Sequence, residues 1–360
     1  MARTIMIMAG GTGGHVFPGL AVAAYMKSLD WEIIWLGTLS GMEAELVRQY
    51  GYRLELIGFT GVRGKKAIDW LWLPWRLLLA FWQSARIIRR TKPDVVLGMG
   101  GYPAFPGGIM ASLLNKPLLI HEQNAIPGLA NKILASIADR TLLGFPGALE
   151  GPTSRIQVTG NPVREDIARL PTPETRFAGR AGRLKILVIG GSLGAHILNT
   201  TLPKVLKLIP ENDRPWVTHQ AGKTHLDELR RCYDEAGVAG NLVAFIDDMA
   251  ASYAECDLVI CRAGALTIAE LAAVGIASVL IPYPFAVDDH QTANARYLSE
   301  QQAAWLLPQD KLSAEGLADL IKGLTRERLL EMAIRARSLA KPDATQSVAE
   351  ACIKIGKSER

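Results

Sequence analysis

Short apolar runs recur along this chain, each closed by glycine or polar residues and followed by a longer stretch with helical spacing. The runs are Ile5–Ala9, Glu32–Leu36, Val95–Leu97, Leu118–Ile120, Ile186–Ile189, Val217–Gln220, Leu242–Phe245, Leu258–Cys261 and Ser278–Ile281. Runs of this length bounded by turn residues read as buried strands. Their regular alternation with helical patterns predicts an α/β fold with parallel sheets and right-handed crossovers.

Three of the runs open into glycine-rich loops: Gly10-Gly11-Thr12-Gly13-Gly14-His15, Gly98-Met99-Gly100-Gly101-Tyr102-Pro103 and Gly190-Gly191-Ser192-Leu193-Gly194-Ala195. Glycine lets backbone N–H groups approach an anion, and a following helix N-terminus adds partial positive charge. The first and third loops open the two halves of the chain, which predicts two Rossmann-like domains facing each other across a cleft that holds a nucleotide or phosphate ligand. The boundaries expected are 1–163 with a returning C-terminal helix at about 343–360, and 164–341. The proline-, glycine- and arginine-rich stretch 163–184 and Lys341-Pro342 read as hinges.

The length of 360 residues agrees with two domains, and 49% hydrophobic content supplies two cores. The four cysteines, Cys232, Cys256, Cys261 and Cys352, stand without a second Cys/His pair at ligand spacing and read as free buried thiols. The apolar run after Arg3 is too short for a signal peptide, and no run approaches the ~20 residues of a membrane span.

Charge changes the picture more than composition does. Residues 1–163 hold 16 Lys and Arg against 10 Asp and Glu; the remainder holds 24 against 25. Much of the excess falls in 61–92, where Arg63, Lys65, Lys66, Arg76, Arg86, Arg89, Arg90 and Lys92 face only Asp69. The same stretch carries Trp70, Trp72, Trp75 and Trp82 among leucines. Tryptophan and leucine flanked by basic residues describe a surface that docks on an anionic membrane, and the clustered aliphatics argue against nucleic acid. A core helix with a solvated basic end is the plainer alternative.

Four places carry candidate chemistry. The first loop is no dinucleotide fingerprint, because Val16 stands where the last glycine belongs and no acidic residue follows the strand ending at Leu36. His15 at its tip is a candidate general base, since imidazole titrates near neutrality. His121-Glu122-Gln123-Asn124 places four polar residues directly after a strand, with Glu122 a second candidate base or acceptor ligand and Asn124 a sugar-hydroxyl partner. After the strand ending at Cys261, a small-residue turn opens a helix at Ala265 with Glu270 one turn inside, suited to a ribose diol beside a pyrophosphate. Asp288-Asp289-His290-Gln291 follows the next strand, and Gln291 is a further candidate for sugar hydroxyls. No Asp-x-Asp occurs, so no metal site and no cofactor are expected, and loop amides, helix dipoles and Arg164 are left to stabilise a leaving diphosphate.

Read together, Gly-Gly-Thr-Gly-Gly-His-Val-Phe-Pro at 10–18, His-Glu-Gln-Asn at 121–124, Gly-Asn-Pro-Val-Arg at 160–164, Gly-Gly-Ser-Leu-Gly-Ala at 190–195, Arg-Ala-Gly-Ala-Leu-Thr-Ile-Ala-Glu at 262–270 and Asp-Asp-His-Gln at 288–291 resemble inverting glycosyltransferase family 28. The resemblance covers nearly the whole chain. It implies a GT-B fold and transfer of N-acetylglucosamine from UDP-N-acetylglucosamine to the muramic acid 4-hydroxyl of lipid I (the undecaprenyl-pyrophosphoryl-MurNAc-pentapeptide), giving lipid II with a β-1,4 link, and UDP. It places donor contacts on Thr12, Gly13, Gly14, Asn124, Arg164, Ser192, Ile246, Ala265, Leu266, Thr267, Ile268, Ala269, Glu270 and Gln291. It places the base on His15 and acceptor contacts on Tyr102 and Glu122. Leu193 stands where the family often has glutamine, which removes one side-chain contact to the donor. The implied location is peripheral, on the cytoplasmic face of the bacterial inner membrane, with other cell-wall synthesis proteins as candidate partners. Two other readings share the architecture: a UDP-N-acetylglucosamine 2-epimerase, which needs no membrane surface, and a non-catalytic sugar-nucleotide-binding protein.

Overall fold

The computed structural model describes residues 3–39, 41–59, 72–191 and 194–357. The chain divides into two compact units, 1–164 with 342–360, and 165–341. Arg164 thus closes the first unit rather than opening the second.

The first unit is built on a parallel sheet of β1 (Thr4–Ala9), β2 (Glu32–Thr38), β3 (Arg53–Ile57), β4 (Val95–Gly100), β5 (Leu118–Glu122), β6 (Arg140–Leu143) and β7 (Ile156–Val158) in the order β3-β2-β1-β4-β5-β6-β7. Alternation along β1 sends Ile5, Ile7 and Ala9 into one core and Met6 and Met8 into the other, so helices cover both faces. The helix Ala344–Lys357 returns to this unit and buries Val348, Ala349 and Cys352 in the first core. Strand order reverses between the parallel β1 and β4, and loops at such a switch point form the ligand crevice of open α/β sheets. The pairing register shifts between Met8 and Ala9, so Ala9 pairs with Gly100 just where both strands enter their glycine loops.

The second unit repeats the plan with β8 (Lys185–Ile189), β9 (Trp216–Gln220), β10 (Asn241–Val243), β11 (Leu258–Cys261), β12 (Ala277–Leu280) and β13 (Ala304–Leu306), all parallel, in the order β10-β9-β8-β11-β12-β13. Its switch point lies between β8 and β11, the strands that lead into the third glycine loop and the small-residue turn before Ala265.

The run Leu242–Phe245 is a strand only as far as Val243, and Phe245 is exposed. The stretch 163–184 is not a free linker. Residues Glu165–Ala168 and Pro173–Phe177 are short helices of the second unit. Arg176 donates to the carbonyls of Val274, Gly275 and Tyr253, and Arg180 to those of Ala254 and Cys256 and to Asp257. Helix C-termini leave carbonyls without intrahelical partners, and these arginines fill that need.

Helix Leu73–Thr91 packs Ala80, Ser84, Ala85, Ile87 and Ile88 inward. Its outer side exposes Trp75, Leu78, Leu79 and Trp82 in one stripe, with Trp72 just before it and the Arg86 guanidinium 5.6 Å from the Trp82 ring centroid. A stripe at i, i+3, i+4 and i+7 is one face of a helix. The remaining residues of the basic stretch, Arg63, Lys65, Lys66, Asp69 and Trp70, lie outside the described residues. No described helix is long and apolar enough to cross a membrane.

Candidate active site

In the first unit, helix Gly13–Ser28 starts directly after the β1 loop, with no side-chain cap at Thr12 and no acidic residue in its first turn. Its leading N–H groups are therefore presented by Gly13 and Gly14, as an anion site requires. Glu43 holds this loop from behind. It is fully buried and accepts hydrogen bonds from Gly11 N at 3.1 Å, Thr38 N at 2.9 Å and Thr38 Oγ1 at 2.8 Å.

His15 lies in that first turn, half-buried, with Nδ1 3.1 Å from Gln123 Oε1. Gln123 Nε2 in turn donates to Met99 O at 2.7 Å. Gly100, with φ of +100°, passes so close that a Cβ there would lie 2.7 Å from His15 Nδ1. The neighbouring Gly101 has φ of +80°, and a Cβ on it would meet Gly10 O at 2.0 Å. Glycine is required at both: for the ring's seat and for the contact between the two loops. Tyr102, next along, is exposed and sets its ring edge-on to Phe59.

The His-Glu-Gln-Asn cluster forms a buried brace at the end of β5, centred on Glu122. Its carboxylate is 1% exposed and accepts from Asn124 N, Asn124 Nδ2, Gly128 N and Asn131 Nδ2. Both of its oxygens are turned to the protein's own N–H groups. His121 is fully buried, and its Nε2 donates to Gly160 O at 3.0 Å. Desolvation pulls its imidazole down to about 4, so the ring is neutral near pH 7. Asn161 Nδ2 donates to Gln123 O. The Gly-Asn-Pro motif thus anchors the strand end that carries Gln123 and Asn124. Asn124 stays half-buried at its end, as does Arg164 after the motif.

In the second unit, helix Ala265–Val274 follows β11 with Gly264 as its N-cap, again with no side-chain cap and no acidic residue in its first turn. Ala265, Leu266 and Thr267 supply the leading N–H groups, and Ile268 N already closes onto Gly264 O. Ile268 and Ala269 carry the helix on to Glu270, which is 9% exposed. Its Oε2 accepts the hydroxyl of Tyr253 at 3.1 Å. Burial first, and the Glu270 carboxylate second, hold the Tyr253 phenol well above its ordinary range, so it stays a donor. Gln291 Oε1 accepts from Tyr283 N at 2.9 Å, which turns its amide NH2 away from that loop. Just before it, Asp288 and Asp289 take φ of +52° and +51°. Left-handed conformations at non-glycine residues are costly and gather at binding sites. Ile246 is buried after β10. Ser192 and Leu193 lie outside the described residues. Their loop is held on either side by Gln220 Nε2 on Gly191 O and by Gly194 against Ala221 O.

Cys256, Cys261 and Cys352 are buried free thiols; burial pushes Cys256 and Cys352 up to about 12 and Cys261 higher still. No cluster of three His, Cys, Asp or Glu able to hold a metal occurs among the described residues.

Residues 5–143 match the glycosyltransferase family 28 N-terminal domain and residues 185–348 its C-terminal domain. The chain belongs to glycosyltransferase family 28. Its fold is GT-B, two Rossmann-like domains in one chain. A relative from Nitrosomonas europaea is 67% identical over 347 residues, covering 96% of this chain and 97% of its own length. It is a UDP-N-acetylglucosamine–N-acetylmuramyl-(pentapeptide) pyrophosphoryl-undecaprenol N-acetylglucosamine transferase. The enzyme of that name from Nitrosospira multiformis is 64% identical over 355 residues, 99% of each chain. Among solved structures, MurG of Acinetobacter baumannii superposes with a TM-score of 0.83 at 39% identity, covering 98% of this chain and 99% of its own.

Three residues of this family 28 chain escaped the sequence reading: Glu43, Gln123 as a partner of His15, and Tyr253. Glu43 sits in a short polar helix, Glu43–Gln49, where a glutamate resembles a solvated one. Tyr253 is separated from Glu270 by a strand. Only the three-dimensional pairing distinguishes these residues from their neighbours.

Proposed function

We propose that this chain transfers N-acetylglucosamine from UDP-N-acetylglucosamine to the 4-hydroxyl of N-acetylmuramic acid in lipid I, releasing UDP and lipid II. The full-length identity of 67% to a transferase of that activity carries the reading. In the second unit the first-turn amides of Ala265, Leu266 and Thr267 bind the diphosphate, where negative charge grows as the glycosidic bond breaks. Ser192 and the third loop add to that site. Glu270 accepts from the ribose hydroxyls, held by Tyr253. Ile246 lies against the base and Gln291 donates to a sugar hydroxyl.

His15 takes the acceptor's proton. It is the half-buried imidazole at the switch point of the first sheet, whereas His121 is buried and Glu122 is engaged. Thr12, Gly13, Gly14, Asn124 and Arg164 contribute donor contacts from residues 1–164, and exposed Tyr102 serves the acceptor. Displacement at the anomeric carbon in one step inverts it, through an oxocarbenium-like transition state as in glycoside hydrolysis.

The exposed Trp75, Leu78, Leu79 and Trp82 stripe, with Arg86, docks on the cytoplasmic leaflet where the polyprenyl acceptor resides. Amphipathic faces with basic borders bind anionic interfaces this way. The enzyme is peripheral in this reading.

The test is UDP release from UDP-N-acetylglucosamine with and without a short-chain lipid I analogue. Release that requires the acceptor supports the transferase. Release without it, or conversion of the donor to its epimer, would contradict it.

A further inference from the structure

From the contacts around His15 we infer that Gln123 is a positioning residue that fixes the tautomer of the catalytic imidazole, leaving Nε2 as the atom that takes the acceptor's proton. The inference rests on the reading of His15 as the base.

Hydrogen-bond polarity fixes the orientation of the Gln123 amide. A backbone carbonyl only accepts, so the end of the Gln123 amide 2.7 Å from Met99 O is its NH2. The other end, 3.1 Å from His15 Nδ1, is therefore the oxygen. An amide oxygen only accepts, so Nδ1 carries the hydrogen. In a neutral imidazole the lone pair then sits on Nε2. Gln123 is 1% exposed, and its backbone carbonyl is held by Asn161, so the amide cannot swing away cheaply. Rotating it by half a turn would set its NH2 toward Nδ1 and its oxygen against the Met99 carbonyl. Gly100 closes the ring from the side, since a Cβ there would come within 2.8 Å of Cε1.

The proton transfer balances through this arrangement. The acceptor's 4-hydroxyl oxygen bonds to the anomeric carbon, and its proton passes to Nε2. The bond from the anomeric carbon to the UDP β-phosphate oxygen breaks, and the electron pair leaves with UDP. The imidazolium keeps its Nδ1–H on Gln123 and later returns the Nε2 proton to solvent. Gln123 thus holds the same hydrogen bond in both charge states, so no reorganisation is needed as the proton arrives.

The test combines 15N NMR of the histidine-labelled full-length enzyme with kinetics of Gln123→Leu, Gln123→Glu and His15→Ala. Above the imidazole titration, the wild-type His15 signals should show the Nδ1–H tautomer. Gln123→Leu should lose that preference and lower kcat about 10- to 100-fold, part of the ~10²–10⁴ a positioned base supplies, with KM for UDP-N-acetylglucosamine within about twofold. Gln123→Glu keeps an acceptor for Nδ1 but sets an oxygen against Met99 O in place of the NH2, so it should keep the Nδ1–H tautomer while losing the Met99 tie. A wild-type Nε2–H tautomer, or a Gln123→Leu enzyme with unchanged tautomer and kcat, overturns the inference while an inactive His15→Ala leaves the base reading standing. Near-normal turnover in His15→Ala overturns the base reading and the positioning role together.

Discussion

Glu43 Oε1 accepts the Thr38 hydroxyl at 2.8 Å, joining two buried side chains at the end of β2 and the start of the next helix. The same carboxylate reaches Gly11 N in the first glycine loop through its other oxygen. A loop that is mostly glycine has few side chains of its own to hold it, and this glutamate supplies a tie. Glu43→Ala leaves buried donors on Thr38 without a partner. It should cost about 2–6 kcal/mol of stability, at 1–3 kcal/mol for each of the two orphaned groups, and lower turnover as the loop loosens. Denaturant unfolding followed at tryptophan checks this; an unchanged midpoint would show that the tie carries no load.

A second prediction concerns acid. Burial holds the native His121 at about 4 and the native His219 at about 3, against 6.5 for either in an unfolded chain. Between those values the unfolded chain binds protons that the native protein refuses. Stability is therefore complete above about pH 6.5 and is lost as pH falls toward 4, by on the order of 3 kcal/mol for His121 at about 1.4 kcal/mol per pH unit. His121→Gln should flatten the acid dependence of the first unit. Unfolding free energies at pH 7, 5.5 and 4 measure it; the same slope in variant and wild type would refute it.

Glu270→Ala removes the carboxylate assigned to the ribose. Hydrogen bonds to charged groups are worth about 1.5–3 kcal/mol, so UDP should bind about 10- to 100-fold more weakly by calorimetry. Tyr253→Phe, which frees the carboxylate without deleting it, should produce a smaller loss in the same direction. Unchanged UDP affinity in Glu270→Ala would remove the ribose assignment.

Trp75→Ser with Trp82→Ser strips two exposed rings from helix Leu73–Thr91. With about 1.5–3 kcal/mol at stake per large apolar side chain buried, sedimentation with anionic vesicles should fall at least about tenfold. The melting temperature should hold, because the inward face is Ala80, Ser84, Ala85, Ile87 and Ile88. Equal vesicle binding by the variant would place the docking surface elsewhere.

The architecture was largely legible because buried parallel strands are apolar on both faces, so Ile5–Ala9 and Ile186–Ile189 stand out as runs. β6, β7 and β13 escaped. β6 and β7 each carry at least one polar residue in a run of three or four, and β13 is only Ala-Trp-Leu, too short to stand out as a run. β3 is a short amphipathic alternation, Arg-Leu-Glu-Leu-Ile, too polar to stand out as an apolar run. At the site, loops and helix starts were visible through glycine and small residues. The roles of polar residues within a cluster were not. His121, Glu122 and Gln123 are consecutive, yet one binds a backbone carbonyl, one is saturated by amides and one faces His15. That division depends on which way each side chain leaves the strand end, together with partners up to 108 positions away in the sequence. Arg176 and Arg180 misled for a related reason: the glycine and proline around them signal a linker, and the helix-end carbonyls they bind lie 70 or more positions away.

The central claim is tested most directly by the structure of the product. UDP-N-acetylglucosamine and a short-chain lipid I analogue, incubated with the enzyme, should yield a disaccharide-bearing lipid whose new linkage is β-1,4 by NMR coupling and correlation. An α-linked disaccharide would contradict single-step inversion, and an epimerised nucleotide sugar with untouched acceptor would contradict the transfer itself.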